Sequence, residues 1–162
     1  MTKETVMAPE DTTRDRSAVD WALFVARAVV GVIFMAHGAQ KLFGAFGGPG
    51  LSAVVQMMGP LGYLVIVGEF FGGLGLVFGF LSRFSAASII VIMLGAVATV
   101  HGKFGFFMNW AGNQAGEGFE YHLLAIGALL PIVIAGPGRL AVGRLLPSPK
   151  VAGEERLAAV RK

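Results

Sequence analysis

Six ionisable side chains interrupt the apolar segments of this sequence, and they are the residues most able to do chemistry. They are Arg27, His37, Lys41, Glu69, His101 and Glu120. In residues 67–79, VGEFFGGLGLVFG, Glu69 is the single residue that is neither apolar nor glycine. An ionisable group in a hydrocarbon environment costs roughly 2.5–3.5 kcal/mol on insertion scales, so it usually faces the protein interior and has a partner.

A second group of polar residues closes or opens the apolar stretches at one level. His37 and Lys41 lie in AHGAQKLFG, His101 lies in VATVHGKFG, and Glu120 and His122 lie in GEGFEYHLL. Three imidazoles and a carboxylate could bind a metal, hydrogen-bond a quinone headgroup or relay protons. A histidine near a helix end can also simply lie at the polar interface. No HExxH or paired ExxH pattern is present, so we expect no metal site.

Helix geometry limits which of these side chains can meet. Glu120 and His122 are two residues apart, so about 200° separates them on a helix and both cannot face the interior. A carboxylate at a helix start is favoured by the free N–H groups there, which accounts for Glu120 structurally. Counted from the inner ends of their stretches, Arg27 lies about 10 Å deep and Glu69 about 18 Å deep. These depths predict an Arg27–Glu69 ion pair, which would either fix helix register or serve as a proton or substrate site.

The composition indicates where the chain resides. Hydrophobic residues make up 55% and charged residues only 14% of the 162 residues, whereas a soluble domain carries roughly 25% charged residues. The sequence therefore predicts an integral membrane protein with the lipid bilayer around it. It contains no cysteine, which excludes disulfides and thiolate metal sites. No basic patch is interleaved with aromatic residues, so nucleic acid is not expected as a partner.

Four apolar stretches predict an all-α fold, an antiparallel transmembrane four-helix bundle. The predicted spans are about 21–41, 60–81, 84–101 and 120–136. They lie in one domain, 20–138, between a flexible polar tail, 1–19, and a basic tail, 139–162. Lysine and arginine concentrate in both tails, which predicts that both termini are cytoplasmic. The glycines of the second span, Gly68, Gly72, Gly75 and Gly79, share one stripe, which favours close helix packing, and Gly31 and Gly38 could form a facing seam.

The sequence resembles the DoxX family of small membrane proteins over about residues 20–145. The resemblance rests on ARAVVGVIFMAHGAQKLFG, on VGEFFGGLGLVFGFLSRFSA and on HGKFGFFMNWAGNQAGEGFEYHLLAIGALLPIVIAGPGRLA. It implies a multi-pass protein of the bacterial inner membrane with four spans. Members of the family are linked to quinol oxidation, to thiosulfate:quinone oxidoreduction, and to membrane complexes that handle oxidative and thiol stress. The family has no agreed catalytic residues to carry over.

Three functions fit these observations. The first is a redox-associated membrane subunit that binds quinone or quinol and works with other redox-complex subunits. Its candidate binding residues are His37, Lys41, Glu69, His101 and Glu120, beside the aromatic residues Phe34, Phe43, Phe104, Phe106 and Phe107. The second is a non-enzymatic scaffold or assembly partner. The third is a small proton-coupled transporter with Arg27–Glu69 as its gate, for which four short spans are few unless the chain forms a homodimer.

Overall fold

The computed structural model describes residues 9–145, and within them the chain is helical with no strand, which confirms the all-α prediction. The five α-helices are α1 (Pro9–Phe43), α2 (Gly50–Met58), α3 (Leu61–Phe78), α4 (Ser82–Ala96) and α5 (Glu120–Ala135). A π-helical turn, Val97–His101, and a 3-10 turn, Gly102–Phe104, extend α4. Short 3-10 turns occupy Ala45–Gly47 and Val142–Leu145.

Helix α1 begins earlier than the predicted span. Residues 9–19, predicted as part of a flexible tail, are helical. Proline is favoured at the first helical position and acidic residues are favoured in the first turn, and the sequence starts this helix with Pro-Glu-Asp. Residues 1–8, and the part of the basic tail from residue 146 onward, lie outside the described residues.

Three of the helical segments are long and apolar enough to cross a membrane: Thr13–Phe43, Leu61–Phe78 and Ser82–Phe104. Helix α5 is apolar but shorter, with 16 residues. Helix α3 ends three residues before the predicted boundary at 81. Gly79 takes the left-handed conformation, with φ of 72°, and its N–H bonds back to α3 carbonyls, which stops the helix.

The four long helices pack in the order α1, α3, α4, α5 and back to α1. Neighbouring helices run antiparallel, as when Gly75 and Gly68 of α3 lie against Ser85 and Ile92 of α4, respectively. The core between them is built from aliphatic side chains and one phenylalanine. Its most buried members include Phe34, Leu76, Ile89, Leu129 and Ile132.

Glycines set the register between α1 and α3. A Cβ on Gly31 would collide with Gly73, and one on Gly38 would collide with the backbone of Phe70. The predicted stripe of Gly68, Gly72 and Gly75 instead faces α4. The paired glycines 72 and 73 allow α3 to approach a helix on each side, so the α1 seam runs through Gly73 rather than through the predicted stripe.

We call the end of the molecule that carries Lys41 and His101 the loop end, and the opposite end, where Arg139 contacts α1, the terminal end.

A groove of about 680 Å³ lies between α3 and α4, and its lining is apolar apart from Ser85 and Ser88. Glu69 is not part of that lining. The groove therefore suits a lipid chain better than a polar ligand.

Candidate functional site

Arg27 is the first of two buried charges, and its side chain is fully enclosed near the terminal end. Arginine carries five N–H donors, and all five are bonded to backbone carbonyls. Two of those carbonyls belong to the last turn of α3 and three follow α5, where helix ends leave acceptors without partners. The five acceptors are the carbonyl oxygens of Leu76, Val77, Pro137, Arg139 and Leu140.

The predicted ion pair between Arg27 and Glu69 is wrong. Arg27 bonds to carbonyls, and Glu69 pairs with Lys41. The glycine contacts place Arg27 level with the end of α3, and Glu69 lies seven residues, or about 10 Å, further along that helix from Leu76. The predicted depth difference of about 8 Å is close to this separation. The pairing failed because backbone carbonyls at the terminal end take up the Arg27 donors, while Lys41 pairs with Glu69. A transporter gate made of Arg27 and Glu69 is therefore not formed.

Glu69 is the second buried charge, and it lies near the loop end on α3. Its carboxylate is 2.5 Å from the ammonium group of Lys41, and the two side chains are 6% and 25% exposed. Lys41 lies in the last turn of α1, where the helix dipole favours a cation. The structure thus brings together two of the predicted binding residues. Pairing with a cation offsets the cost of burying a carboxylate, which is several kcal/mol for an unpaired charge.

Tyr121 at the start of α5 joins this pair to a set of rings. Its hydroxyl oxygen is buried and has no hydrogen-bond partner in the described part of the chain. The rings of Phe34 and His37 lie 6.4 and 6.2 Å from the Tyr121 ring, measured between centroids. Phe34 is buried beneath this group, whereas His37 is exposed at its edge.

His122 and His101 extend the group towards α4. Their ring centroids are 4.2 Å apart, and the π-helical turn brings His101 to this position. The Nδ1 atom of His101 is 2.9 Å from the carbonyl oxygen of Glu117, which orients the ring. His122 is buried, and its Nδ1 atom has no partner within residues 9–145. We call Lys41, Glu69, Tyr121, His122 and His101 the loop-end cluster.

Several predicted residues lie outside the loop-end cluster. Glu120 accepts a hydrogen bond from the indole of Trp110 at 3.2 Å and does not face the interior. Phe43 packs on Phe70, 5.4 Å away between centroids. Phe106 and Phe107 are exposed in the loop before α5, and Phe104 lies under Lys103.

Sequence reasoning did not identify Tyr121 as a site residue. A signal was available in the spacing of α5, where His122, Ala125, Leu129 and Ile132 form the buried stripe. That stripe turns the start of α5 inward, and it brings a tyrosine hydroxyl and an imidazole into the interior at the level of Glu69.

Comparison with known proteins gives the same fold family. The DoxX family profile matches residues 22–102, which include Arg27, Lys41 and Glu69. The inner membrane protein YqjF of Escherichia coli strain K12 is 33% identical over 130 residues, which cover 78% of this chain and 93% of that protein. The chain belongs to the DoxX family. No solved structure matches it significantly.

This DoxX protein is a multi-pass protein of the inner membrane. The family profile ends at residue 102, before α5, so its match does not extend to Tyr121 and His122. No group of three or more histidine, cysteine, aspartate or glutamate side chains that could hold a metal ion occurs in residues 9–145. The chemistry open to the loop-end cluster is hydrogen bonding to a small polar group and exchange of protons with it.

Proposed function

We propose that this DoxX protein is a redox-associated subunit that binds a quinone or quinol headgroup at the loop-end cluster. In this arrangement α5 also crosses the membrane, so that four helices form the transmembrane bundle. Both chain termini then face the cytoplasm, as the distribution of lysine and arginine predicts, and the loop-end cluster lies near the opposite surface.

The observation that carries the proposal is a pair of buried polar atoms at the loop end, the Tyr121 hydroxyl and the His122 Nδ1, which have no partner in the described residues. The third such atom in those residues, Ser82 Oγ, lies at the start of α4, near the terminal end. A buried donor or acceptor left without a hydrogen bond costs about 1–3 kcal/mol. Such atoms in native proteins usually meet a ligand or an ordered water. Two of them on consecutive residues, next to a buried carboxylate, provide the polar contacts that a quinone headgroup needs.

The chemistry of the cluster fits this ligand class. A bound quinol supplies two electrons and two protons. The Tyr121 hydroxyl can donate a hydrogen bond to a headgroup oxygen, and His122 can donate to or accept from one. Glu69 and the His122 imidazole each offer a site that can accept one of the two protons. Phe34 provides an apolar surface beside the Tyr121 ring.

The electrons need a partner subunit. Because the sequence contains no cysteine, this chain performs no thiol chemistry itself. We therefore place the electron acceptor in another membrane or redox-complex subunit, with this chain holding the headgroup and handling protons. A homodimer is compatible with this assignment, because no residue of the loop-end cluster lines the apolar groove between α3 and α4.

The test is to purify the full-length protein from membranes in a mild detergent and to measure bound quinone after solvent extraction. The protein is expected to retain quinone in proportion to its own amount. Tyr121→Phe is expected to lower that retention about tenfold, the effect of one lost hydrogen bond worth about 1.4 kcal/mol. Tyr63→Phe is the matched control, because the Tyr63 side chain is exposed on α3.

Two results would argue for the scaffold function instead. One is a purified protein that carries no quinone and does not bind a short-chain quinol analogue in a titration. The other is equal quinone retention by Tyr121→Phe and Tyr63→Phe, which would mean that the Tyr121 hydroxyl makes no contact with the ligand.

A further inference from the structure

The connection from α1 to α3 at the loop end has an unusual composition. Residues 42–60 include no charged side chain, although they lie at an end of the molecule that would be expected to face water. Their side chains are mostly aliphatic, and two are phenylalanine. A water-facing loop of this length normally carries charge, so this composition points to contact with an apolar environment.

Much of the backbone of this connection is paired within the connection itself. Helix α2 bonds its own interior, and Gly44, Gly48, Gly59 and Gly62 each donate their N–H to a carbonyl no more than four residues earlier in the chain. Buried Val54 anchors α2 against Gly62 of α3. Internal pairing of backbone groups is the condition for placing a segment next to lipid, where water cannot supply hydrogen bonds.

The side chains that project from this connection are large and apolar. Phe46 is 79% exposed, Met57 is 74% exposed and Phe43 is 68% exposed. Along the chain, these are followed by the exposed side chains of Leu61 and Leu64 at the start of α3. Since α3 is a membrane-spanning helix, the exposed surface of the connection is continuous with a surface that lipid already covers.

The backbone of the loop before α5 is also closed by bonds within the loop, although this loop exposes the polar side chains of Asn113, Gln114 and Glu117. The N–H groups of Gly118, Phe119 and Glu120 bond to the carbonyls of residues 105–107 and close the loop. Residues 104–119 contain one carboxylate, that of Glu117, and it accepts a hydrogen bond from the Asn109 N–H at 2.7 Å. Trp110 is 85% exposed, while its indole N–H donates to Glu120.

We infer that these two segments, residues 42–60 and 104–119, form a cap, rich in aromatic and aliphatic side chains, that lies in the lipid interface of the leaflet at the loop end. Aromatic residues with one polar edge are enriched at that depth of the bilayer. Trp110 has this character, with its indole N–H bonded and its ring exposed. The inference is independent of the proposed quinone site, since it rests on the surface of the cap and not on the loop-end cluster.

Tryptophan fluorescence in vesicles of brominated phospholipid tests the cap. The sequence has two tryptophans, so Trp21→Phe leaves Trp110 as the reporter. Phe46→Trp in a Trp21→Phe/Trp110→Phe background reports on the first segment. In the same background Asp15→Trp is the water-exposed control, because Asp15 lies on the polar first turns of α1 and is exposed.

The cap predicts that both loop-end reporters lose about half of their emission in brominated vesicles relative to plain ones, as expected for rings at interface depth. The Asp15→Trp reporter should be quenched by aqueous acrylamide instead. Two outcomes overturn the inference. Quenching of both loop-end reporters by acrylamide alone would place the cap in water. Protection of both from bromine and acrylamide would place another protein, or a second copy of this chain, on it.

Discussion

Arg27 and Glu69, the two charged side chains that are buried in the described part of the chain, lie at opposite ends of the same helix pair and are satisfied in opposite ways. Arg27 uses all five of its donors on backbone carbonyls. Glu69 has one ionic partner, Lys41, and the loop-end cluster to which it belongs contains two buried polar atoms that have no partner in the described residues. An ionisable residue in a membrane segment is a functional candidate by default. Their hydrogen bonds distinguish the two residues. Arg27 has every N–H donor bonded to the backbone, so we assign it to the support of the fold.

Substitution of Arg27 should cause the largest loss of stability. Arg27→Leu removes a donor from five backbone carbonyls that are buried or partly buried, and each buried carbonyl left unpaired costs about 1–3 kcal/mol. We expect too little folded protein for purification, measured as the monodisperse peak in size-exclusion chromatography. Arg83→Leu is the control, because Arg83 is exposed on α4 and its loss should leave the peak intact. A normal yield of folded Arg27→Leu would show that the fold does not depend on Arg27, and it would contradict the assignment of Arg27 to the framework.

The ion pair should give the next largest effect. Lys41→Met leaves the Glu69 carboxylate buried without a counter-charge, and breaking a buried pair in this way costs about 3–5 kcal/mol. The double variant Lys41→Met/Glu69→Leu removes both charges and should recover most of the thermal stability of the parent protein. Bound quinone should stay low in the double variant. If quinone binding returned along with stability, the pair would be structural, like Arg27.

The glycine seam allows each region to be disturbed separately. Gly31 lies one turn from Arg27, and Gly38 lies about one turn from Lys41. Alanine at either position meets α3 backbone, and such overpacking costs about 1–3 kcal/mol. Both variants should melt at lower temperature, but Gly38→Ala should lose more quinone per folded molecule than Gly31→Ala.

The control for this comparison is Gly127→Ala on α5, where an added methyl group has no neighbour within 4 Å. Alanine is the better helix former by about 1 kcal/mol, so this variant should melt at the same or a higher temperature. Equal quinone loss from Gly31→Ala and Gly38→Ala would show that general loosening of the bundle, and not the loop-end cluster, governs binding.

The smallest effect on stability is expected at Tyr121, and it should have the opposite sign. Removing a buried hydroxyl that has no partner takes away a desolvation cost of about 1 kcal/mol. Tyr121→Phe stripped of lipid-soluble ligand should therefore melt at the same temperature as the parent protein or slightly above it. A clear drop in melting temperature would show that the hydroxyl makes a structural hydrogen bond, and it would no longer mark a ligand site.

Much of the fold could be predicted because long apolar runs leave a backbone few options other than helix. The ends of the helices were harder to predict, because α3 ends at the left-handed Gly79 and not where the hydropathy falls. Glu69 and Lys41 could be identified one at a time by their charge in apolar surroundings. Their pairing depends on the Gly31 and Gly38 contacts, which set the register and are not visible in hydropathy.

The central claim is that Tyr121 belongs to a ligand site and Arg27 to the framework, and bound quinone per folded molecule tests it most directly. Tyr121→Phe and Arg27→Lys are purified side by side, with the folded fraction measured by size-exclusion chromatography. We predict that Tyr121→Phe is fully folded and has lost most of its quinone. Arg27→Lys should yield less folded protein, because lysine has fewer donors, with quinone retained in the folded fraction. Full quinone in Tyr121→Phe, or its loss from folded Arg27→Lys, would contradict the claim.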